Sequence, residues 1–169
     1  MSHPLLSRYY KPLLIPFTSM ERVLPDLDDF RHWLPVQLRF NDIDILGHLN
    51  NIVYFSLYDL AKAMFIQSLR KEQIYWRKVD CVIANIDCAY IHPIYFGDQM
   101  EVATRCIHIG DRSFTLEQCL VEKSSRQIRS ICTTVMVCFD PDTGKSAPMN
   151  ESLRSALSAH YKDAAGREP

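Results

Sequence analysis

Asp42-Ile-Asp-Ile-Leu-Gly-His-Leu-Asn-Asn51 places two carboxylates, a glycine, a histidine and two asparagines within ten residues. Upstream, Val36-Gln-Leu-Arg-Phe40 alternates apolar and polar residues, the period of a half-buried strand. Downstream, Ile52 to Leu69 carries apolar residues at 54, 57, 58, 61, 64, 65 and 69 with no proline or glycine, the stripe of an amphipathic helix. The polar stretch therefore lies where a strand gives way to a long helix. Asn50 or Asn51 is a natural N-cap, because its side chain accepts from the first free N–H groups. Arg70 and Lys71 fall at the other end, where the helix dipole favours cations. A carboxylate held beside a helix N-terminus is a base or nucleophile next to unused backbone donors.

Beyond the helix the chain reads as strands. Cys81–Ile91 is apolar and β-branched, His92–Asp98 breaks it with a proline and a Gly-Asp turn, and Met100–Ile109 alternates again. Gly110-Asp111 marks a turn, Phe114–Val121 the next strand, Lys123–Gln127 a polar hairpin and Ile128–Phe139 the last long strand, which Asp140–Gly144 ends. Glu151–Tyr161 suits a terminal helix. Short turns between consecutive strands imply antiparallel pairing. One long helix and one sheet give a two-layer α+β domain with the sheet wrapped around the helix. An open sheet edge invites a second copy, so a homo-oligomer is expected.

The chain divides into an irregular extension over residues 1–34, a domain over 35–162 and a flexible tail over 163–169. Five of the nine prolines lie in the first 35 residues, and this part shows no sustained period. Its aromatic residues (Tyr9, Tyr10, Phe17, Phe30, Trp33) imply packing on the surface or on a neighbouring subunit, and Asp26–Trp33 suits one or two helical turns.

A hydrophobic fraction of 47% with 23% charged residues describes a globular chain of 169 residues, and a net charge of -1 does not supply the basic field of a nucleic-acid binder. Pro12–Phe17 is too short and too proline-rich for a signal sequence, and no stretch approaches the ~20 apolar residues of a membrane span. The expectation is a cytoplasmic protein. The six cysteines form no Cys-x-x-Cys pair and read as small buried hydrophobes in a reducing compartment; the six histidines are scattered, and no metal site is visible.

Asp42-x-Asp44-x-x-Gly47-His48-x-Asn50-Asn51-x-x-Tyr54, between a first strand and a long helix, resembles the signature of hotdog-fold acyl-CoA thioesterases, nearest to the 4-hydroxybenzoyl-CoA thioesterase-like family. Pro93-Ile-x-x-Gly97-Asp98, Ile109-Gly-x-Arg-Ser-Phe114 and Val137-x-Phe139-Asp140 resemble later parts of that family, in the same order. The resemblance spans roughly residues 35–155. It implies a helix wrapped by an antiparallel sheet, dimers that join two sheets edge to edge, active sites at the dimer interface, and hydrolysis of an acyl thioester without a cofactor or metal; the expected assembly is a homodimer or homotetramer, the expected substrate an acyl-CoA, and the carrier, CoA or acyl carrier protein, stays open.

On this resemblance Asp44 is the catalytic carboxylate, as nucleophile or as general base on water, and a backbone N–H at or near Asn51 holds the oxyanion. Gly47 permits either a close approach of backbone to ligand or a positive φ. His48 positions water, bonds the thioester or simply packs. Asp42, two residues from Asp44, is read as bonding the loop backbone, and Asn50 as orienting the loop or capping the helix. Tyr54, Phe55 and Tyr58 line the core or an acyl pocket. Arg105, Arg112, Arg126 and Arg129 are the candidates for the CoA phosphates; Arg112, with Ser113, falls on the family-like stretch and leads them. Two rivals remain: a hydratase or dehydratase on the same fold, and a non-catalytic acyl-CoA-binding protein.

Overall fold

The computed structural model of the protein describes residues 23–70 and 80–165. The sequence features placed in residues 1–22 and 71–79 and at the end of the tail, Tyr9, Tyr10, Phe17 and Lys71 among them, lie outside the described residues.

The apolar stripe forms one helix, α1, over Asn51–Arg70. The strands are β1 (His32–Val36), β2 (Cys81–Tyr90), β3 (Met100–Ile109), β4 (Ser113–Glu122) and β5 (Ile128–Cys138), and α2 (Glu151–Ala165) follows. All pairings are antiparallel, in the order β1-β3-β4-β5-β2, so β1 and β2 are the edges of this five-stranded sheet. Every strand contributes to the packing around α1. Tyr54, Leu57, Tyr58 and Ala61 meet Leu34 and Val36 of β1, Ile86 and Cys88 of β2, Met100 and Val102 of β3, Leu120 of β4 and Cys132 of β5. Further along, Phe65, Ile66 and Leu69 pack with residues of β2 to β5 and with Leu153 and Leu157 of α2, which closes that end. The opposite face of the sheet is covered by Leu27, Phe30 and Trp33.

Two sequence expectations shift. The first strand lies at His32–Val36 rather than Val36–Phe40. The ladder stops because Val36 pairs with Met100, the first residue of β3, which leaves residues 37–40 without a partner strand. The chain then turns into a short 3-10 segment at Phe40–Asp42, tied by Asp42 to Arg39. Asp26–Trp33 supplies a single 3-10 turn, Leu27–Asp29, before entering β1, so the sheet begins inside the stretch read as extension. The proline at 35 is compatible with this because β1 is an edge strand. The helical stripe also hides two features of α1. Met64 is exposed, and Lys62 is buried with its ammonium on Asp59 Oδ1 at 2.7 Å. Five of the six cysteines are buried, and Cys88 is half-buried.

Candidate active site

The polar stretch folds into a tight loop that returns to its own start. Asp44 N–H donates to His48 O (3.0 Å), Gly47 N–H to Asp44 O (3.0 Å) and Asn50 N–H to Asp42 O (2.9 Å). A bond from Leu49 N–H to Ile94 O (2.8 Å) fastens this loop to the segment after β2. Gly47 has φ +86°, and a Cβ built there meets nothing within 4 Å. Of its two alternatives, the positive φ is the one that requires glycine.

Asp42 lies at the root of the loop, 3% exposed. Its carboxylate accepts Arg39 N–H at 2.7 Å, Nε–H at 3.2 Å and Nη2–H at 3.0 Å. Burial alone raises its pKa, but the hydrogen bonds and charge of Arg39 outweigh burial and hold the carboxyl below its ordinary value. Asp42 is thus a loop anchor, as read from the sequence.

Asp44 stands outside that anchor, its side chain 25% exposed. Oδ1 accepts Leu46 N–H at 2.8 Å, while His48 Nδ1 lies 3.8 Å away, beyond hydrogen-bond range. Oδ2 has no hydrogen-bond partner among the described residues. At the start of α1, Asn50 Oδ1 accepts Ile52 N–H at 3.0 Å, so Asn50 is the cap. The Asn51 N–H, the first of the helix, has no backbone partner among the described residues and belongs to the donors a helix leaves unsatisfied.

Asp44, His48, Asn51 and Tyr54 converge on one pocket of about 530 Å³, whose wall is completed by Leu46, Leu49, Tyr90, Ile91, His92 and Pro93. That volume suits a small-molecule ligand. Tyr54 is almost fully buried, with its ring edge-on to Tyr90 at 4.9 Å. Burial first, then Tyr90 and Cys88, push its phenol up to about 12, so it stays protonated. Tyr58, one turn along, belongs to the core instead, with its hydroxyl bonded to Ser130 Oγ and its carbonyl accepting Gln118 Nε2–H at 3.0 Å. Phe55 is half-buried.

The arginine candidates separate. Arg105 is committed to Asp29 and Glu117 and covers the Phe30 ring at 4.8 Å on the far face of the sheet. Arg126 lies over Trp33 at the β4–β5 hairpin. Arg112 donates to Ser146 O near the start of α2. Ser113 pairs with Val137 of β5, whereas Tyr90 at the pocket pairs with Ser130. Those β5 positions are seven residues apart, about 23 Å along a strand. The Arg112–Ser113 pair is therefore not brought to the Asp44 pocket of its own chain. Arg129 is the one drawn toward it, through Nη1–H to Pro93 O at 3.3 Å. Sequence reasoning misses Tyr90, Ile91, His92 and Pro93 as site residues. Their signal is the family-like Pro93–Asp98 stretch; the β2–β5 register carries it back beside the helix N-terminus.

Among the described residues no group of three or more His, Cys, Asp or Glu is placed to hold a metal ion, and no helix is long and apolar enough to cross a membrane.

A profile of the thioesterase-like superfamily matches residues 38–157. Among solved structures, a thioesterase from Thermus thermophilus, complexed with coenzyme A and Zn, is 28% identical with a TM-score of 0.68 and covers 76% of this chain and 98% of its own. A 1,4-dihydroxy-2-naphthoyl-CoA thioesterase from Synechocystis shares the fold at 16% identity, with a TM-score of 0.66 over 75% of this chain and 95% of its own. The uncharacterized protein YsmA of Bacillus subtilis (strain 168) is 21% identical over 128 residues, 76% of this chain and 86% of its own. With the helix wrapped by five antiparallel strands and the matched profile spanning most of the domain, the fold is the hotdog fold and the chain belongs to the thioesterase-like superfamily.

Proposed function

We propose that the protein is an acyl-CoA thioesterase in which Asp44 is the reacting carboxylate. The observation that carries this reading is the meeting, in one pocket, of a partly exposed carboxylate with an open oxygen and the first residue of a helix. The Leu46 N–H fixes Oδ1 and leaves Oδ2 toward the reaction. Oδ2 either attacks the thioester carbonyl, forming a mixed anhydride that water cleaves, or takes a proton from the attacking water. The tetrahedral oxyanion is met by the Asn51 N–H with the helix dipole behind it, a backbone contribution of the kind worth ~10²–10³ in rate. The thiolate of CoA leaves without strong acid assistance. His48, 3.8 Å from Asp44, orients water in this scheme. The similarity to a thioesterase complexed with coenzyme A supports the choice of carrier.

The active form is proposed to be a homodimer or homotetramer. β2 is an edge strand bearing exposed Val82 and Ile83, and α1 exposes Leu60 and Met64. An unpaired edge beside apolar side chains suits pairing with a second copy. In such an assembly the partner's Arg112 and Ser113 would be the pair available to a CoA phosphate, since the chain's own are remote. Free-thiol release from aliphatic and aryl acyl-CoAs tests the activity: hydrolysis of at least one class is expected, and no release from any overturns it.

A further inference from the structure

The β2–β5 ladder sets cysteines opposite each other twice, Cys81 against Cys138 and Cys88 against Cys132. Both pairs face α1: Cys88 and Cys132 pack with Tyr54 and Tyr58, and Cys81 and Cys138 with Phe65. A regular strand would not allow this, because residues 81 and 88 are an odd number apart and would fall on opposite faces. The register shift between Ile83 and Asn85 leaves Ala84 unpaired and returns Cys88 to the inner face. The hydrogen bonds at the two ends of the ladder set the spacing. Ile91 N–H donates to Arg129 O (2.8 Å), so that position is a hydrogen-bonded pair, and alternation makes Cys88–Cys132, three positions along, a non-hydrogen-bonded one. Phe139 N–H to Asp80 O (2.8 Å) places Cys81–Cys138 in the same class. In such pairs the Cα atoms stand ~4.5 Å apart, inside the ~4.4–6.8 Å that a disulfide spans.

The two pairs share a geometry but not a chemistry. Cys81 and Cys138 are both buried. Asp80 Oδ1 accepts the Cys81 S–H at 3.5 Å, and burial, reinforced by the Asp80 charge, pushes that thiol up to about 12, so it stays protonated. Cys88 is half-buried on the edge strand and keeps a face open to a small reagent, while Cys132 behind it is fully buried. The Cys88 S–H donates to Cys132 Sγ, which holds the Cys132 thiol below its ordinary range and that of Cys88 above it. Cys132 is thus placed as a base for Cys88.

We propose that Cys88 and Cys132 are a thiol–disulfide switch that closes on a low-molecular-weight disulfide and shifts the pocket wall through Tyr90. Cys88 Sγ attacks one sulfur of the small disulfide as its proton passes to the Cys132 thiolate; a mixed disulfide forms and one small thiolate leaves. That thiolate takes the proton back from Cys132, whose sulfur attacks Cys88 Sγ and expels the second small thiolate. The second thiolate takes up the proton that the pair first released to solvent. The cysteines are oxidised by two electrons, and the small disulfide is reduced to two thiols. Closure draws the Cβ atoms from ~4.5 Å to ~3.8 Å. Cys88 lies two residues before Tyr90, whose ring meets Tyr54 at 4.9 Å in the pocket wall, so the wall moves with the strand. The effect on catalysis rests on the thioesterase reading above; formation of the bond does not.

The test uses the full chain, reduced and then treated with oxidised glutathione, with hydrolysis followed by loss of thioester absorbance so that no thiol reagent meets the cysteines. Intact mass should fall by two hydrogens, and non-reducing peptide mapping should join Cys88 to Cys132 and leave Cys81 and Cys138 as thiols. For the best acyl-CoA, kcat/KM should fall at least about threefold and recover with dithiothreitol. Cys88→Ser and, separately, Cys132→Ala should abolish both the bond and the response. Thermal unfolding identifies a folding defect, and variants on two strands keep the response readable if one is unstable. No Cys88–Cys132 bond, whether the thiols stay free or Cys88 keeps a glutathione adduct, overturns the proposal while leaving the thioesterase reading intact. So does a bond that leaves kcat/KM unchanged, or a loss of activity that persists in Cys88→Ser. No hydrolysis of any acyl-CoA by the reduced protein overturns the thioesterase reading and the catalytic half of the proposal, and the mapping still decides the bond.

Discussion

Replacing Asp42 by alanine removes the acceptor for three donor groups at the root of the Asp42–Asn51 loop, and their geometry sets the size of the loss. The Arg39 side chain is 78% exposed, so its two guanidinium bonds are screened by water and contribute up to about 1 kcal/mol. The 2.7 Å bond from Arg39 N–H to a buried carboxylate is the larger part, about 1–2 kcal/mol by analogy with helix caps. The sum is about 2 kcal/mol, or roughly 4–8 °C in Tm for a domain of this size. A pH signature follows. The folded carboxyl is held below its ordinary value, so its contribution is complete above the unfolded pKa of about 4 and is lost as pH falls through the lower folded pKa. Urea unfolding of wild type and Asp42→Ala at about pH 7 and at stepped pH values below about 4 should show a gap that narrows on acidification. The Asp42 backbone carbonyl, which accepts Asn50 N–H beside Asn51, is kept in alanine but loses the carboxylate anchor that fixes its place, so kcat should fall with stability. A variant within about 0.5 kcal/mol of wild type near neutral pH, or a gap that stays constant down to about pH 2, would refute the reasoning.

Gly47→Ala meets open space but must hold φ +86°, so a loss of about 1 kcal/mol in urea unfolding is expected; a gain in stability contradicts the assigned backbone role. Tyr58→Phe strands Ser130 in the core and should lower stability by about 1–3 kcal/mol, whereas Tyr54→Phe removes a hydroxyl without a partner among the described residues and should leave Tm unchanged or raise it. Equal losses in the two variants, followed by thermal unfolding, would contradict the distinction. Val82→Lys places a charge on the exposed β2 edge and should shift the assembly to monomer in light scattering; a wild type that is already monomeric removes the proposed interface.

The parts of the fold that depend on periodicity are legible in the sequence. The stripe at 54, 57, 58, 61 and 65 is the buried face of α1, and the strands from Cys81 onward fall within a residue or so of their turns. The first strand is displaced because alternation continues through Leu38 while its partner begins only at Met100; a single strand's pattern says nothing of where the neighbouring strand ends. Lys62 and Gln118 escape a linear reading because polar residues inside a core depend on contacts made only in the folded chain, here with Asp59 and the Tyr58 carbonyl. The local half of the site, Asp44 to Tyr54, is contiguous and can be quoted as one motif. Its other half, Tyr90 to Pro93, arrives through the β2–β5 register and the Leu49–Ile94 bond, neither of which a linear spacing encodes. Arg112 illustrates the converse: a family-like stretch gives it prominence, yet strand register carries it to the opposite end of the sheet.

The central claim, that Asp44 performs the chemistry, is tested most directly by thiol release from the best acyl-CoA with wild type and Asp44→Asn at matched, verified folding. The substitution keeps the side-chain shape and an oxygen able to accept Leu46 N–H, so the loop should survive while the reacting carboxylate is removed. The account predicts a fall in kcat of ~10²–10⁴ with little change in KM. An Asp44→Asn enzyme that retains wild-type kcat would contradict it.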